Sequence, residues 1–275
     1  MDFKLSINVI ILLRFKKGDI MELNMEKVTE ELIEWIREQL RLTGGNKLIL
    51  GISGGKDSSV VAALSAKAIG KENVYGVLMP DGIQQDIEYA HKLVDTLGIN
   101  QITLNLENVT KAFHGLLDEA VENKFVEKIS TQTNLNLPPR VRMTLVHALA
   151  QSIDDARVIN TGNLSEKWIG YTTVYGDNTG AFAPLGGLTS DEVMELGVYL
   201  GLPDFLAFKA PSDGLTGKTD EDVIGFSYKV LNRYIRTGEI DDLETKAKID
   251  RLHKMNAFKF EPIPFFPSPL PISIK

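Results

Sequence analysis

Residues 51–59 read Gly-Ile-Ser-Gly-Gly-Lys-Asp-Ser-Ser and lie between an apolar run, Leu48 to Ile52, and a helix-like segment from about Ser58 to Ile69. A continuous apolar run of that length reads as a buried parallel strand. The small residues behind it let a backbone approach a phosphate closely. The following helix start supplies free N–H groups and the positive end of a dipole. Ser53 and Ser58 add hydroxyl donors and Lys56 adds charge. Asp57 follows the lysine where a Walker loop needs Ser or Thr, and no Gly-x-Gly-x-x-Gly fingerprint is present. An ordinary glycine-rich turn is the bland alternative, and the order strand, loop, helix weighs against it.

Around this loop the pattern alternates. Val28, Leu32, Ile36 and Leu40 form one stripe of an amphipathic helix ended by Gly44-Gly45. Strands are expected at 74–79, 101–106 and 157–161. Helices are expected at 87–97, 107–123 and 140–152, the last introduced by Pro138-Pro139, which suits a first turn. Later residues read as helices at 189–200, 220–236 and 241–255. The fold class is therefore α/β, a doubly wound parallel sheet flanked by helices with a helical C-terminal part. Residues 1–24 read as an N-terminal extension and 25–275 as a single domain. With 275 residues the chain is long enough to bury a full core.

Composition removes several function classes. A net charge of −7 argues against a general nucleic-acid binder. The absence of cysteine removes thiol nucleophiles, sulfur carriers and cysteine-type glutamine amidotransferase chemistry. Free ammonia, or ammonia from a separate protein, is then the natural nitrogen donor for an amidation. Ile7 to Leu13 is too short to cross a bilayer, so no membrane partner is expected and the expected location is the cytoplasm.

A second constellation is Asn160-Thr-Gly-Asn-Leu-Ser-Glu166, followed by Gly170-Tyr171 and Tyr175-Gly-Asp177. Thr161 falls at the carboxyl end of the expected fourth strand, where open α/β sheets bind ligands. Glu166 offers a hard oxygen ligand suited to magnesium. The loop resembles the Ser-Gly-Gly-x-Asp-Ser loop of the ATP pyrophosphatases. Asn136-Leu-Pro-Pro-Arg-Val-Arg-Met143, Pro211-Ser-Asp-Gly-Leu215 and Lys218-Thr-Asp-Glu221 join these motifs. In order and spacing the whole set resembles ammonia-dependent NAD synthetase over about residues 25–265.

The resemblance implies that Gly51, Ile52, Ser53, Gly54, Gly55, Lys56, Asp57 and Ser58 bind ATP phosphates, with Thr161 and Ser212 as further ATP contacts. It implies Mg²⁺ on Asp57 and Glu166. Arg140 and Lys259 would contact the acid substrate, deamido-NAD. Asp177 would lie near the incoming ammonia, and with Lys56 it is a candidate catalytic residue. A homodimer is implied as well. Arg140 has a second argument, because a cation in a helix's first turn opposes the dipole and calls for an anionic partner.

The chain also departs from the family pattern. Val174 stands at a lysine position, Asn178 at a glycine, Ala181 at an aspartate, Ser190 at a lysine, and Phe258 at the histidine of a His-Lys pair. Losing a charged hydrogen-bonding partner costs about 1.5–3 kcal/mol each. A paralogous ligase for a different carboxylate, or an inactive nucleotide-binding relative, are the alternatives. His91, His114, His147 and His253 show no metal spacing, and His147, among apolar residues, reads as packed. Trp168, Tyr171 and Tyr175 read equally as packing or as substrate-stacking groups. The segment Ser212–Lys218 reads as a mobile lid.

Overall fold

The structure, a computed structural model, describes residues 23–84, 87–207, 219–267 and 269–270. Four parallel strands form one sheet: β1 (Lys47–Gly51), β2 (Val74–Leu78), β3 (Asn100–Thr103) and β4 (Ala156–Val158). Their spatial order is β3-β2-β1-β4, so the chain winds outward from β1 and then reverses to the other side with β4. The registers Leu48↔Val74 and Leu48↔Arg157 place β1 between β2 and β4. The reversal opens a crevice beyond the carboxyl ends of β1 and β4.

Helices cover both faces. They are α1 (Met25–Leu42), α2 (Lys56–Ile69), α3 (Ile87–Leu97), α4 (Glu107–Glu122), α5 (Thr131–Ser152), α6 (Leu164–Ile169), α7 (Ser190–Tyr199), α8 (Asp204–Ala207), α9 (Asp220–Ile224), α10 (Tyr228–Thr237) and α11 (Leu243–Asn256). Strand side chains alternate between faces. Leu48 and Leu50 therefore enter one core with Ile36, Val60, Leu64, Leu93 and Leu196, which belong to α1, α2, α3 and α7. Ile49 and Val77 enter a second core with Val141, Val146 and Val158, under α5. A third, separate core joins α6, α10 and α11 through Ile169, Leu231 and Ile249. The expected doubly wound sheet with a helical C-terminal part is the observed architecture.

Several expected boundaries differ. The prolines do not open α5: it begins at Thr131, capped by Ser130 accepting from Thr133 N–H at 3.0 Å, and Pro138 and Pro139 lie inside it. Arg140 is thus not in a first turn, and the dipole argument for an anionic partner falls away. The single helix expected at 220–236 is two. Gly225, with φ +77°, ends α9 in the left-handed conformation, and Ser227 caps α10. β3 stops at Thr103, and β4 begins one residue early and stops at Val158. Lone backbone bonds continue both, Leu104 N–H to the Leu78 carbonyl at 2.9 Å and Ile159 N–H to the Ile49 carbonyl at 3.1 Å. His147 is exposed and pairs with Thr179 Oγ1 at 3.1 Å, so it is not packed. Ser212 and the expected lid Ser212–Lys218 lie outside the described residues, as does the extension up to residue 22.

Leu64 is fully buried between the sheet and the outer helices. Leu64→Ala should destabilise the protein by about 2–5 kcal/mol through lost burial and a residual cavity. A lowered denaturant midpoint at unchanged m-value is the expected measurement.

Candidate active site

β1 delivers the chain to the crevice at Ile52, whose N–H donates to the Val77 carbonyl at 2.9 Å. The chain then turns through Gly54, φ +75°, where a Cβ would sit 2.8 Å from the Ala90 backbone nitrogen. Only glycine suits both conditions. Gly55 caps α2 with no side chain bonded to the helix start, and within the helix the first bond to it is Ser59 N–H to the Gly55 carbonyl at 3.1 Å. The amide of Lys56, Asp57 and Ser58 open α2 without a capping side chain. Ser53 Oγ accepts from Gly55 N–H at 3.1 Å and lies 3.2 Å from Ser58 Oγ, so two hydroxyls brace the loop. This is a preformed anion cradle.

Lys56 and Asp57 fill its floor. Lys56 is 6% exposed, and its Nζ meets Asp57 Oδ2 at 3.0 Å. Burial works against its charge, but the Asp57 and Glu166 carboxylates outweigh burial and hold the ammonium above its ordinary range.

The loop after β4 supplies the opposite wall. Asn163 caps α6 in a capping box: its Oδ1 accepts from Glu166 N–H at 3.1 Å, and Glu166 Oε2 accepts from Asn163 N–H at 3.3 Å. Asn163 Nδ2 donates to Asp57 Oδ1 at 3.0 Å, which ties the two walls together. Burial, then the nearby Asp57 charge, pushes the Glu166 carboxyl up to about 8. Thr161, in the same loop, is partly exposed.

Asn160 shapes the rim. Its Nδ2 donates to the Asp177 and Thr179 carbonyls, both at 2.8 Å. Asp177 is exposed there, with Oδ1 accepting from Thr173 N–H at 2.9 Å and Oδ2 from the Thr172 hydroxyl. A cavity of about 210 Å³ opens among Asn160, Asn163, Glu166, Asp177 and Phe182.

The crevice therefore brings Lys56, Asp57, Glu166 and Asp177 into one electrostatic neighbourhood. Arg140 stands apart, exposed, its Nε donating to the Val174 carbonyl at 3.2 Å. Lys259 turns its ammonium inward onto the Gly170 and Thr172 carbonyls at 2.6 and 3.0 Å. Asn178 donates to the Lys259 carbonyl at 2.6 Å, so one departure from the family pattern is bonded to the residue that follows another, Phe258. Ser190 is buried with Ser165 and Asn232, bonded to them at 2.9 and 3.2 Å. Trp168 stacks on His253 at 4.3 Å and so packs within the protein.

Asn163 and Asp220 were not singled out from the residues alone. The Asn-x-x-Glu spacing of a capping box was the available signal for Asn163. Asp220, buried at the start of α9 and 3.5 Å from the Tyr228 hydroxyl, had none beyond its motif.

A parallel sheet feeding a serine–glycine loop onto an uncapped helix, at the point where strand order reverses, defines a nucleotide-binding α/β protein. The chain belongs to the NAD synthase family, which it matches over residues 28–263. It is 39% identical to an NH₃-dependent NAD⁺ synthetase of Carboxydothermus hydrogenoformans over 80% of this chain and 88% of that one. A second such enzyme, from Archaeoglobus fulgidus, is 35% identical over 85% of this chain and 92% of its own. Among solved structures, NMN synthetase from Francisella tularensis superposes with a TM-score of 0.80 at 27% identity, covering 90% of this chain and 99% of that one. NH₃-dependent NAD synthetase from Campylobacter jejuni gives 0.71 at 29%, covering 89% and 100%.

Gly54→Ala should abolish nucleotide binding and cost about 1–2 kcal/mol from the left-handed backbone alone. Gly187→Ala, where a Cβ meets nothing within 4 Å, is the control expected to leave both unchanged. Equilibrium unfolding and calorimetric ATP titration check the pair.

Proposed function

We propose that this chain is an ammonia-dependent NAD synthetase that converts deamido-NAD, ATP and ammonia to NAD, AMP and pyrophosphate. The observation that carries the reading is the meeting of the phosphate cradle with Glu166 and Asp177 across one crevice, in a chain matching the family almost end to end. Residues 25–275 act as one such domain.

A free carboxylate is a poor electrophile with a poor leaving group, and adenylation corrects both. The substrate carboxylate oxygen attacks the α-phosphorus of ATP, and the bond to the β-phosphate bridge breaks. The open amides of α2, the Ser53 and Ser58 hydroxyls and the Lys56 ammonium take up the charge growing on the departing pyrophosphate. Ammonia then attacks the acyl carbonyl, AMP departs with the bonding pair, and Asp177 at the rim orients ammonia and accepts its surplus proton. Thr161 adds a further ATP contact and the exposed Arg140 serves the acid substrate, whereas the Lys259 ammonium is held by the Gly170 and Thr172 carbonyls.

Asp57 and Glu166 fit a divalent cation. They are two hard carboxyl groups, and the Asp57 charge adds to the cost of ionising Glu166, a repulsion that such an ion relieves. Mg²⁺ bound there supplies charge neutralisation for the phosphates. The assembly is a homodimer, for which the exposed Val109, Phe113 and Leu116 on α4 and Leu135 on α5 provide an apolar face. The protein works in the cytoplasm, and no described helix is long and apolar enough to cross a membrane.

One observation favours a second acceptor. The Francisella tularensis structure with the 0.80 superposition is an NMN synthetase, and Val174, Ala181 and Ser190 place no charge where the family pattern has one. On that reading the acid is the mononucleotide, nicotinate mononucleotide. Pyrophosphate and AMP release with ATP, Mg²⁺ and ammonium should be stimulated by one acid and not the other. ADP as the spent nucleotide refutes both acceptors.

Asp57→Ala and Glu166→Ala should each abolish acid-dependent pyrophosphate release, and wild-type release in both would remove the magnesium assignment. In the metal-free protein Glu166, with its carboxyl raised to about 8, carries a proton at neutral pH that the cation must displace. Mg²⁺ affinity should therefore rise with pH up to about 8 and then level, and Glu166→Gln should flatten that dependence.

A further inference from the structure

Asn163 is 1% exposed, and every polar atom it carries is engaged. Oδ1 accepts from Glu166 N–H at 3.1 Å, the backbone N–H donates to Glu166 Oε2 at 3.3 Å, and the carbonyl accepts from Lys167 N–H at 3.1 Å. Those bonds fix the orientation of the side-chain amide, because a flipped amide would set its NH₂ against the Glu166 N–H. Nδ2 is thereby aimed at Asp57 Oδ1, 3.0 Å away. Asp57 Oδ2 is taken by Lys56 Nζ at 3.0 Å, so both oxygens are pinned, one from each wall of the crevice. The sequence separation between Asp57 and Asn163 is 106 residues, and this is a direct side-chain bond between the two loops.

We propose that Asn163 is a positioning residue: it clamps Asp57 at a fixed distance from Glu166 and so sets how strongly the nucleotide site responds to a divalent cation. The inference rests on the reading of Asp57 and Glu166 as cation ligands. Capping α6 is a separate job that serine performs about as well as asparagine, and threonine nearly so. Neither hydroxyl reaches Asp57 in place of the amide while it caps the helix. With the clamp removed, Asp57 is held by Lys56 alone and the paired carboxylates lose their preset spacing. Outer groups that orient metal ligands typically account for 10–100-fold in metal affinity.

Asn163→Ser, and Asn163→Thr to fill more of the vacated volume, separate the two jobs. Binding of α,β-methylene ATP is measured by calorimetry across a Mg²⁺ series, beside thermal unfolding. The Mg²⁺ concentration for half-maximal nucleotide binding should rise on the order of tenfold in both variants. Nucleotide binding without Mg²⁺ should change by less than the Mg²⁺ midpoint does, and a cooperative unfolding transition should show that both variants remain folded. In an Asp57→Ala background, Asn163→Ser should shift nothing further. An unchanged Mg²⁺ midpoint in folded Ser and Thr variants overturns the proposal and leaves the enzyme assignment standing. A shift of equal size in the Asp57→Ala background overturns it too, since the effect would not pass through Asp57. Nucleotide binding by the wild-type protein that ignores Mg²⁺ altogether overturns both the proposal and the reading beneath it.

Discussion

The hydrogen bond from Asn163 to Asp57 joins the first turn of α2 to the loop after β4 and so ties the two walls of the crevice together. A parallel sheet whose order reverses leaves a gap at the reversal, and nothing in strand pairing closes it. Here the gap is bridged by partly buried polar contacts that share their partners. Polar networks shielded from solvent rigidify when complete. Lys56 belongs to the same network, placing a cation against the carboxylates before any ligand arrives.

The site combines two kinds of preorganisation. The cradle at α2 is built from backbone, and its shape depends on the left-handed Gly54 and on the absence of a capping side chain at Gly55. The acidic wall is built from side chains, and its shape depends on the capping box of α6. On the proposed function, phosphate charge would meet fixed dipoles on one side, and the acidic wall on the other would act only through a cation held between it and the phosphates.

Much of this was legible in the residues. Leu48 to Ile52 followed by a Ser-Gly-Gly loop announced strand, turn and helix in order, and the structure has them within one or two residues. The reversal at β4 was not legible, because a run of strands and helices does not say on which side a later strand adds. Pro138-Pro139 misled for a physical reason: proline suits a first turn, but Ser130 supplied a better cap upstream and carried α5 through both prolines. Gly225 split the helix expected at 220–236, since a single glycine is compatible with either continuation or a left-handed stop. His147 looked packed because its sequence neighbours are apolar, yet they point to the sheet while it points outward to Thr179. For Lys259 the tertiary context decided: its ammonium spans two carbonyls that are close only after folding.

The third core has a reach that its size does not suggest. Glu166 rides on α6, and α6 is seated not on the sheet but on α10 and α11 through Ile169, Leu231 and Ile249. The acidic wall is thus anchored to a small hydrophobic raft with its own packing, moored to the sheet side by polar ties such as those of Asn163 and of Ser165 with Ser190. Ile249, fully buried in that raft and absent from the cavity lining, therefore supports the Glu166 carboxylate from a distance.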